Sequence, residues 1–254
     1  MDNIKVTELI NLVERAGRKI LEIYNDPAFS KVVDFKADDS PLTLADEASN
    51  EILEKELKEL HPDIPIISEE GEQLDYEKRK DFGLFWLVDP LDGTKEFISR
   101  NGEFTVNVAL IQNRYPIAGF IYAPVLDTVY VGIENTAYKV VNGDRFDLRV
   151  NGINNKVAVR SKSHASVEEE SVLSKYHIQD SISVGSSLKF CMVAEGKADV
   201  YYRFGPTMEW DTAAGQAILE AAGGKVFKET GPDRFAYNKE NLLNTGFLCL
   251  GFEE

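Results

Sequence analysis

The sequence predicts an α+β protein in two joined halves, and three observations carry that expectation. Two amphipathic helical patterns fill the first 60 residues, short β-rich segments follow one another from about 104 to 150, and strands alternate with helices after about 155. The alternation reads as an α/β layer set against an α+β one, here 155–254 against 1–154. No repeat, low-complexity tract or long linker separates the halves, so they are expected to pack as one body.

Over residues 4–24, Leu9, Val13, Ala16 and Ile20 adjoin Ile10, Gly17, Leu21 and Tyr24 at three- and four-residue spacing, an amphipathic helix that stops before Asp26-Pro27. A second helix is expected from about Thr43 to Leu60, with Pro41 ahead of it and His61-Pro62 closing it. Ile64–Ile67 is a short β-branched run. It leads into Ser68-Glu69-Glu70-Gly71, and the polar, charged stretch that follows to Asp81 reads as a surface loop. Phe85–Val88 is a buried strand expected to halt at Asp89-Pro90, because proline disfavours continuation. The segments 104–112, 117–123, 127–133 and 136–150 form an antiparallel meander, with Asn142-Gly143 as a two-residue hairpin turn. Strands at 156–160, 181–184, 198–202, 225–228 and 246–250 then interleave with helices at 166–175, 186–196 and 211–222, the first opened by a Ser166–Glu169 capping box.

The 254 residues carry 28 basic and 43 acidic side chains, a formal charge of −15 that argues against nucleic acid and anionic membranes as partners. Cys191 and Cys249 lie in apolar surroundings and are expected to be buried, reduced thiols; two cysteines make neither a disulfide scaffold nor a thiolate zinc site. No stretch approaches the roughly 18 apolar residues of a membrane span, and the opening Met-Asp-Asn-Ile-Lys lacks the marks of a leader. The expected location is the cytoplasm, with peripheral contact at the inner membrane face left open.

An acidic chain can also spend carboxylates on cations. In Trp86-Leu87-Val88-Asp89-Pro90-Leu91-Asp92-Gly93-Thr94, two carboxylates three apart stand where a strand ends, and the turn can direct both, with the Leu91 carbonyl, into one spot. Hard divalent cations, Mg²⁺ among them, take such oxygen donors. Gly93 and Thr94 open a helix whose first N–H groups can meet an anion. The plainer reading makes Asp92 an N-cap and Asp89 a turn residue. Ser68-Glu69-Glu70 follows another short strand, and Trp210-Asp211-Thr212-Ala213-Ala214-Gly215 opens a helix poor enough in side-chain bulk to approach another element closely. Each also has a structural reading, as solvated glutamates and as a helix cap.

Together the strings WLVDPLDGTKEF, SEE after an apolar strand, and WDTAAG resemble the signatures of the inositol-monophosphatase superfamily of magnesium-dependent, lithium-sensitive phosphatases, over essentially the whole chain. Residues 36–46, 95–111 and 184–215 are similar to its 3′(2′),5′-bisphosphate nucleotidases. The resemblance implies a layered αβαβα sandwich. It also implies one Mg²⁺ on Glu69, Asp89 and the Leu91 carbonyl, a second on Asp89, Asp92 and Asp211 at about 4 Å, and a third, weakly held ion near Glu69 with Asp46 nearby. Thr94, hydrogen-bonded to Asp46 or Glu69, is the implied acceptor of the attacking water's proton, and the N–H groups of Gly93 and Thr94 the implied cradle of the phosphoryl oxygens. Ser161, His164, Ser186, Lys189 and Arg203 match nucleotide-contacting positions. Without the resemblance, Asp46 and Thr94 are first-turn helix residues, Lys189 a solvated helix residue and His164 a loop histidine; His61 and His177 carry only such plain readings, and Tyr201-Tyr202 reads as strand packing.

The function so implied is removal of the 3′-phosphate of adenosine 3′,5′-bisphosphate in sulfur assimilation, with 3′-phosphoadenylyl sulfate as a second substrate, by a monomer or homodimer. A phosphatase of inositol 1-phosphate or of sugar phosphates is the alternative within the superfamily, and a silent nucleotide- or cation-binding protein the alternative outside it.

Overall fold

The structure is a computed structural model and describes residues 4–27, 44–150, 152, 156–160 and 167–252. The expected helix start at Thr43, the Ser166 half of the capping box, Ser161 and His164 lie outside the described residues.

Helices α1 (Val6–Tyr24) and α2 (Leu44–Leu60) pack together on one face of a seven-stranded sheet. That sheet runs β1 (Ile66–Ser68), β2 (Leu84–Asp92), β3 (Thr105–Gln112), β4 (Tyr115–Ala123), β5 (Thr128–Ile133), β6 (Thr136–Val141) and β7 (Asp144–Asp147) in chain order. Only β1 and β2 pair in parallel; the rest is the expected meander, with Asn142 and Gly143 both at positive φ in the β6–β7 turn. The second sheet, in order β11-β12-β10-β8-β9, uses β8 (Val157–Arg160), β9 (Asp180–Ser183), β10 (Val200–Arg203), β11 (Lys225–Lys228) and β12 (Phe247–Leu250). Helices α6 (Leu188–Ala194) and α7 (Glu209–Ala221) lie between the sheets, and α5 (Val167–Lys175) packs outside the second.

Strand alternation sorts the core. On β2, Trp86 and Val88 join the α1/α2 side, whereas Phe85 and Leu87 face the central helices and share a core with Ile218, Phe247 and Cys249. The layers therefore run αβαβα, as the resemblance implied. The central layer depends on close approach. A Cβ on Gly119 of β4 would stand 2.5 Å from the Ala214 carbonyl, and one on Gly132 of β5 would stand 2.4 Å from the Ile218 Cα, so α7 rests backbone to backbone on the sheet.

Two expectations are corrected here. β2 does not halt at Asp89-Pro90 but runs to Asp92. Its register against β3 shifts between Asp89 and Asp92, and β1 pairs no further than Ser68 with Val88, so the missing Pro90 N–H breaks no ladder bond on that side. The loop expected after Gly71 as far as Asp81 contains a single helical turn, α3 (Tyr76–Arg79), too short to leave a periodic pattern.

Candidate active site

Four carboxylates meet where β1, β2 and α7 end or begin. The parallel register sets Ser68 beside Val88, so Glu69 follows at the side of Asp89. By the same alternation that turns Phe85 and Leu87 inward, Asp89 faces the central helices, and there it meets Asp211 in the first turn of α7. Carboxylate oxygens of Glu69, Asp89 and Asp211 all lie within 4.8 Å of one another. Asp92, past the bulge, is held differently: its Oδ2 accepts the Ser187 N–H at 2.6 Å and a longer bond from Asn107 Nδ2 at 3.4 Å. Asp211 Oδ2 accepts the Met208 N–H at 2.8 Å, and Asp89 Oδ1 accepts the Leu91 N–H at 3.1 Å.

Asp89 is 1% exposed and Asp46 3%, whereas Glu69 stands at the open lip. Burial, followed by repulsion from Glu69, Asp92, Asp211 and Asp46, holds the Asp89 carboxyl well above the ordinary range. Burial and then Asp92 do the same to Asp211. Glu69 is pushed up to about 7 because the walls of the cleft desolvate its carboxyl even though the side chain keeps solvent contact at the lip, with Asp46 and Glu70 adding their repulsion. Asp92 is raised by burial, against the pull of Lys189 and the Ser187 N–H. Anions packed this closely are stable as carboxylates only with positive charge among them, and oxygen-only donors suit a hard divalent cation. The donor set thus fits a metal.

Asp46, which sequence alone treats as a first-turn helix residue, is buried and acts electrostatically on both Glu69 and Asp89. Thr94 is the first residue of α4 (Thr94–Ile98), after Gly93 at φ 96°. The hydrogen bond expected between Thr94 and Asp46 or Glu69 is not found among the described residues.

Beside this anionic end lies a cationic one. Lys189, solvated in the plain reading, is only 8% exposed, its Nζ donating to the Ser186 carbonyl at 2.6 Å and the Val184 carbonyl at 3.3 Å. The apolar run Leu188–Ala194 around it is the signal of that burial. Burial lowers its ammonium to about 8, partly countered by Asp92. Arg203 closes β10, and its buried Nε finds no hydrogen-bond partner among the described residues. Ser186, at φ 52°, turns its hydroxyl toward the Asp92 and Glu103 carbonyls, at 2.9 and 2.6 Å. With Gly185 N–H on Glu103 Oε2 at 2.8 Å and Ser187 Oγ on Asn107 Oδ1 at 2.8 Å, it fastens the loop before α6 to the end of β2 and to β3. Tyr201 packs against Phe190 and Phe247, as strand packing requires. Both cysteines are free and buried. Sequence reasoning passed over Arg79, Glu209, Asn238 and Asn244, which form a buried polar network behind Asp211.

The inositol monophosphatase family matches residues 2–247. A 3′(2′),5′-bisphosphate nucleotidase CysQ of Escherichia coli K12 is 45% identical over 240 residues, 94% of this chain and 97% of that one. The enzyme of the same name from Buchnera aphidicola is 42% identical over 245 residues, 95% and 92% of the two chains. The crystal structure of CysQ from Bacteroides thetaiotaomicron, described as a bacterial member of the inositol monophosphatase family, superposes with a TM-score of 0.84 at 43% identity, covering 97% of this chain and 96% of that one.

Proposed function

The chain belongs to the inositol monophosphatase family, and from that premise we propose that it removes the 3′-phosphate of adenosine 3′,5′-bisphosphate, giving AMP and phosphate, as a cytoplasmic step that clears a by-product of sulfur assimilation. 3′-Phosphoadenylyl sulfate is the expected second substrate. Enzymes of this family are metal-dependent, and the cluster of Glu69, Asp89 and Asp211, with Asp92 close by, answers to that need. We assign Mg²⁺ to them: Glu69, Asp89 and the Leu91 carbonyl for one ion, and Asp89, Asp92 and Asp211 for another. Bound there, such ions acidify water, neutralise phosphate charge and stabilise a departing oxygen.

The chain's own residues do the rest. Asp89, fixed by burial and by the Leu91 N–H, is the shared ligand. With substrate bound, a turn of the Thr94 hydroxyl onto a carboxylate oxygen of Asp46 or Glu69 would let it take the proton of the attacking water and pass its own to that oxygen. The N–H groups of Gly93 and Thr94 hold the phosphoryl oxygens. The observation that carries the substrate choice is the cationic end. Lys189 spends two of its three ammonium protons on carbonyls and keeps one, and the Arg203 Nε is a buried donor awaiting an acceptor. A monophosphate leaves that end unused; a 5′-phosphate fills it. Ser161 and His164 are proposed as further nucleotide contacts.

The test compares kcat/KM for adenosine 3′,5′-bisphosphate with that for adenosine 3′-monophosphate. Loss of a charged partner from a buried site predicts a preference for the bisphosphate on the order of 30-fold or more, which Arg203→Gln should largely remove. Equal use of both substrates by the wild-type chain would overturn the assignment.

A further inference from the structure

We propose that Arg79 and Glu209 form a positioning relay that fixes the separation of Glu69 and Asp211, and so sets how tightly the carboxylate cluster binds divalent cations. The inference rests on the reading of Glu69 and Asp211 as metal ligands.

Arg79 is 3% exposed at the end of α3, and its guanidinium reaches in two directions. Toward the site, Nε donates to the Leu74 carbonyl at 3.3 Å, within the segment that leaves Glu69; Gln73 Nε2 bonds the Glu69 carbonyl itself at 3.1 Å. Away from it, Nη1 donates to Asn238 Oδ1 at 2.8 Å and the Lys239 carbonyl at 2.6 Å, and Nη2 to the Glu240 carbonyl at 2.8 Å. Asn238 Nδ2 returns a bond to the Arg79 carbonyl at 2.8 Å. One planar fork thereby joins the loop after Glu69 to a segment some 159 residues further along the chain.

That segment grips the start of α7. Glu209, fully buried and two residues before Asp211, accepts the Asn238 N–H at 2.6 Å, the Lys239 N–H at 2.9 Å and Lys239 Nζ at 2.6 Å. Asn244 Nδ2 adds a bond to the Met208 carbonyl at 2.7 Å, and Met208 is the residue whose N–H Asp211 accepts. Hydrogen bonds and the short covalent step from Gln73 to Leu74 thus connect the backbone of Glu69 to the start of α7, through an exposed Gln73 at one end and the buried Arg79–Asn238–Glu209 links at the other. Two carboxylates held within 4.8 Å repel; the Glu69 N–H on the Val88 carbonyl ties Glu69 to β2, and the relay adds the tie between that edge and α7 that keeps Asp211 from relaxing away. The buried part of that network, Arg79, Glu209, Asn238 and Asn244, is satisfied and so rigid enough to hold the two ends together before a cation arrives.

The relay is tested on the full chain with Mn²⁺ as the probe, its binding followed by the electron paramagnetic resonance signal of the free ion. Arg79→Lys keeps the charge and loses the fork. Glu209→Gln keeps the size and blunts the acceptor, and it serves if the first variant does not fold. Either should raise the Mn²⁺ dissociation constant about 10- to 100-fold. The Mg²⁺ concentration for half-maximal turnover should rise in parallel, while KM at saturating Mg²⁺ stays in place. Val200→Ala, a core truncation in the second sheet, should lower Tm without moving Mn²⁺ affinity. Wild-type Mn²⁺ affinity in a folded relay variant, or an equal loss in Val200→Ala, would overturn the relay. If Asp89→Asn binds Mn²⁺ as tightly as the wild type, the ligand assignment falls and the relay with it.

Discussion

Glu209 and Asp211 stand two residues apart at the start of α7, yet their surroundings are built on opposite terms. Glu209 is wholly buried and receives two backbone N–H groups and an ammonium, and its neighbours Arg79, Asn238 and Asn244 are paired with one another or with carbonyls. Asp211 receives one N–H and faces Glu69, Asp89 and Asp92, each of which pushes its proton affinity upward or is pushed in turn. A buried charge with matched partners is a fastening. A buried set of like charges is a site, because its electrostatic deficit is what a ligand can make good. The protein places the fastening directly behind the site.

This contrast can be broken by substitution, and the two sides should fail differently. The largest effect is expected from Asp89→Asn, which removes the ligand proposed to be shared. Turnover should fall by on the order of 10²–10³-fold, in the range seen when one transition-state-stabilising group is removed, while Tm without metal holds or rises by a few degrees because repulsion is relieved. Steady-state kinetics beside calorimetry checks both signs; near-normal turnover would refute the assigned bridge. On the other side, Glu209→Ala leaves the Asn238 and Lys239 N–H groups without an acceptor and removes the only anion paired with Lys239 Nζ among the described residues, which keeps just Asn244 Oδ1, and should destabilise the chain by about 3 kcal/mol, read from urea unfolding.

A third prediction follows from the sign of the proton shifts. The carboxyls of Glu69, Asp89, Asp92 and Asp211 are all raised in the folded, metal-free chain, Glu69 from 4.5 to about 7. Their contribution to stability is fully present below the ordinary carboxylate range. It is lost as pH climbs, for Glu69 through about 7. Protons compete with metal over the same interval. The rise in Tm on adding Mg²⁺ should therefore be small at pH 5.5 and grow to about 5–10 °C at pH 8, for Mg²⁺ near a hundred times its dissociation constant. A pH-independent increment would separate metal binding from these carboxyls.

The two assemblies also differ in how much of them the sequence reveals. Asp89 and Asp92 share one short string with a proline and a glycine, and Asp211 opens an alanine-rich helix, so local chemistry marks both places. The helices, the meander and the Asn142-Gly143 turn were legible for the same reason, as each is encoded within a few neighbouring residues. The course of β2 past Pro90 was not, because it depends on where β1 stops, which is a matter of pairing rather than of the strand itself. Arg79 sits in a charged stretch that reads as solvent-facing, and its burial is decided by Asn238 and its neighbours far along the chain. Glu209, an acidic residue in a first helical turn, looks like any dipole-favoured carboxylate. Lys189 lay between, with apolar neighbours hinting at burial and nothing nearby naming the carbonyls it serves.

The anionic and cationic ends are expected to act together on one substrate. Phosphate release from adenosine 3′,5′-bisphosphate, measured beside inositol 1-phosphate with and without Mg²⁺, puts both ends under one assay. The geometry predicts release that requires Mg²⁺ and favours the bisphosphate. Release without added metal by the chelator-treated chain, or a preference for inositol 1-phosphate, would contradict it.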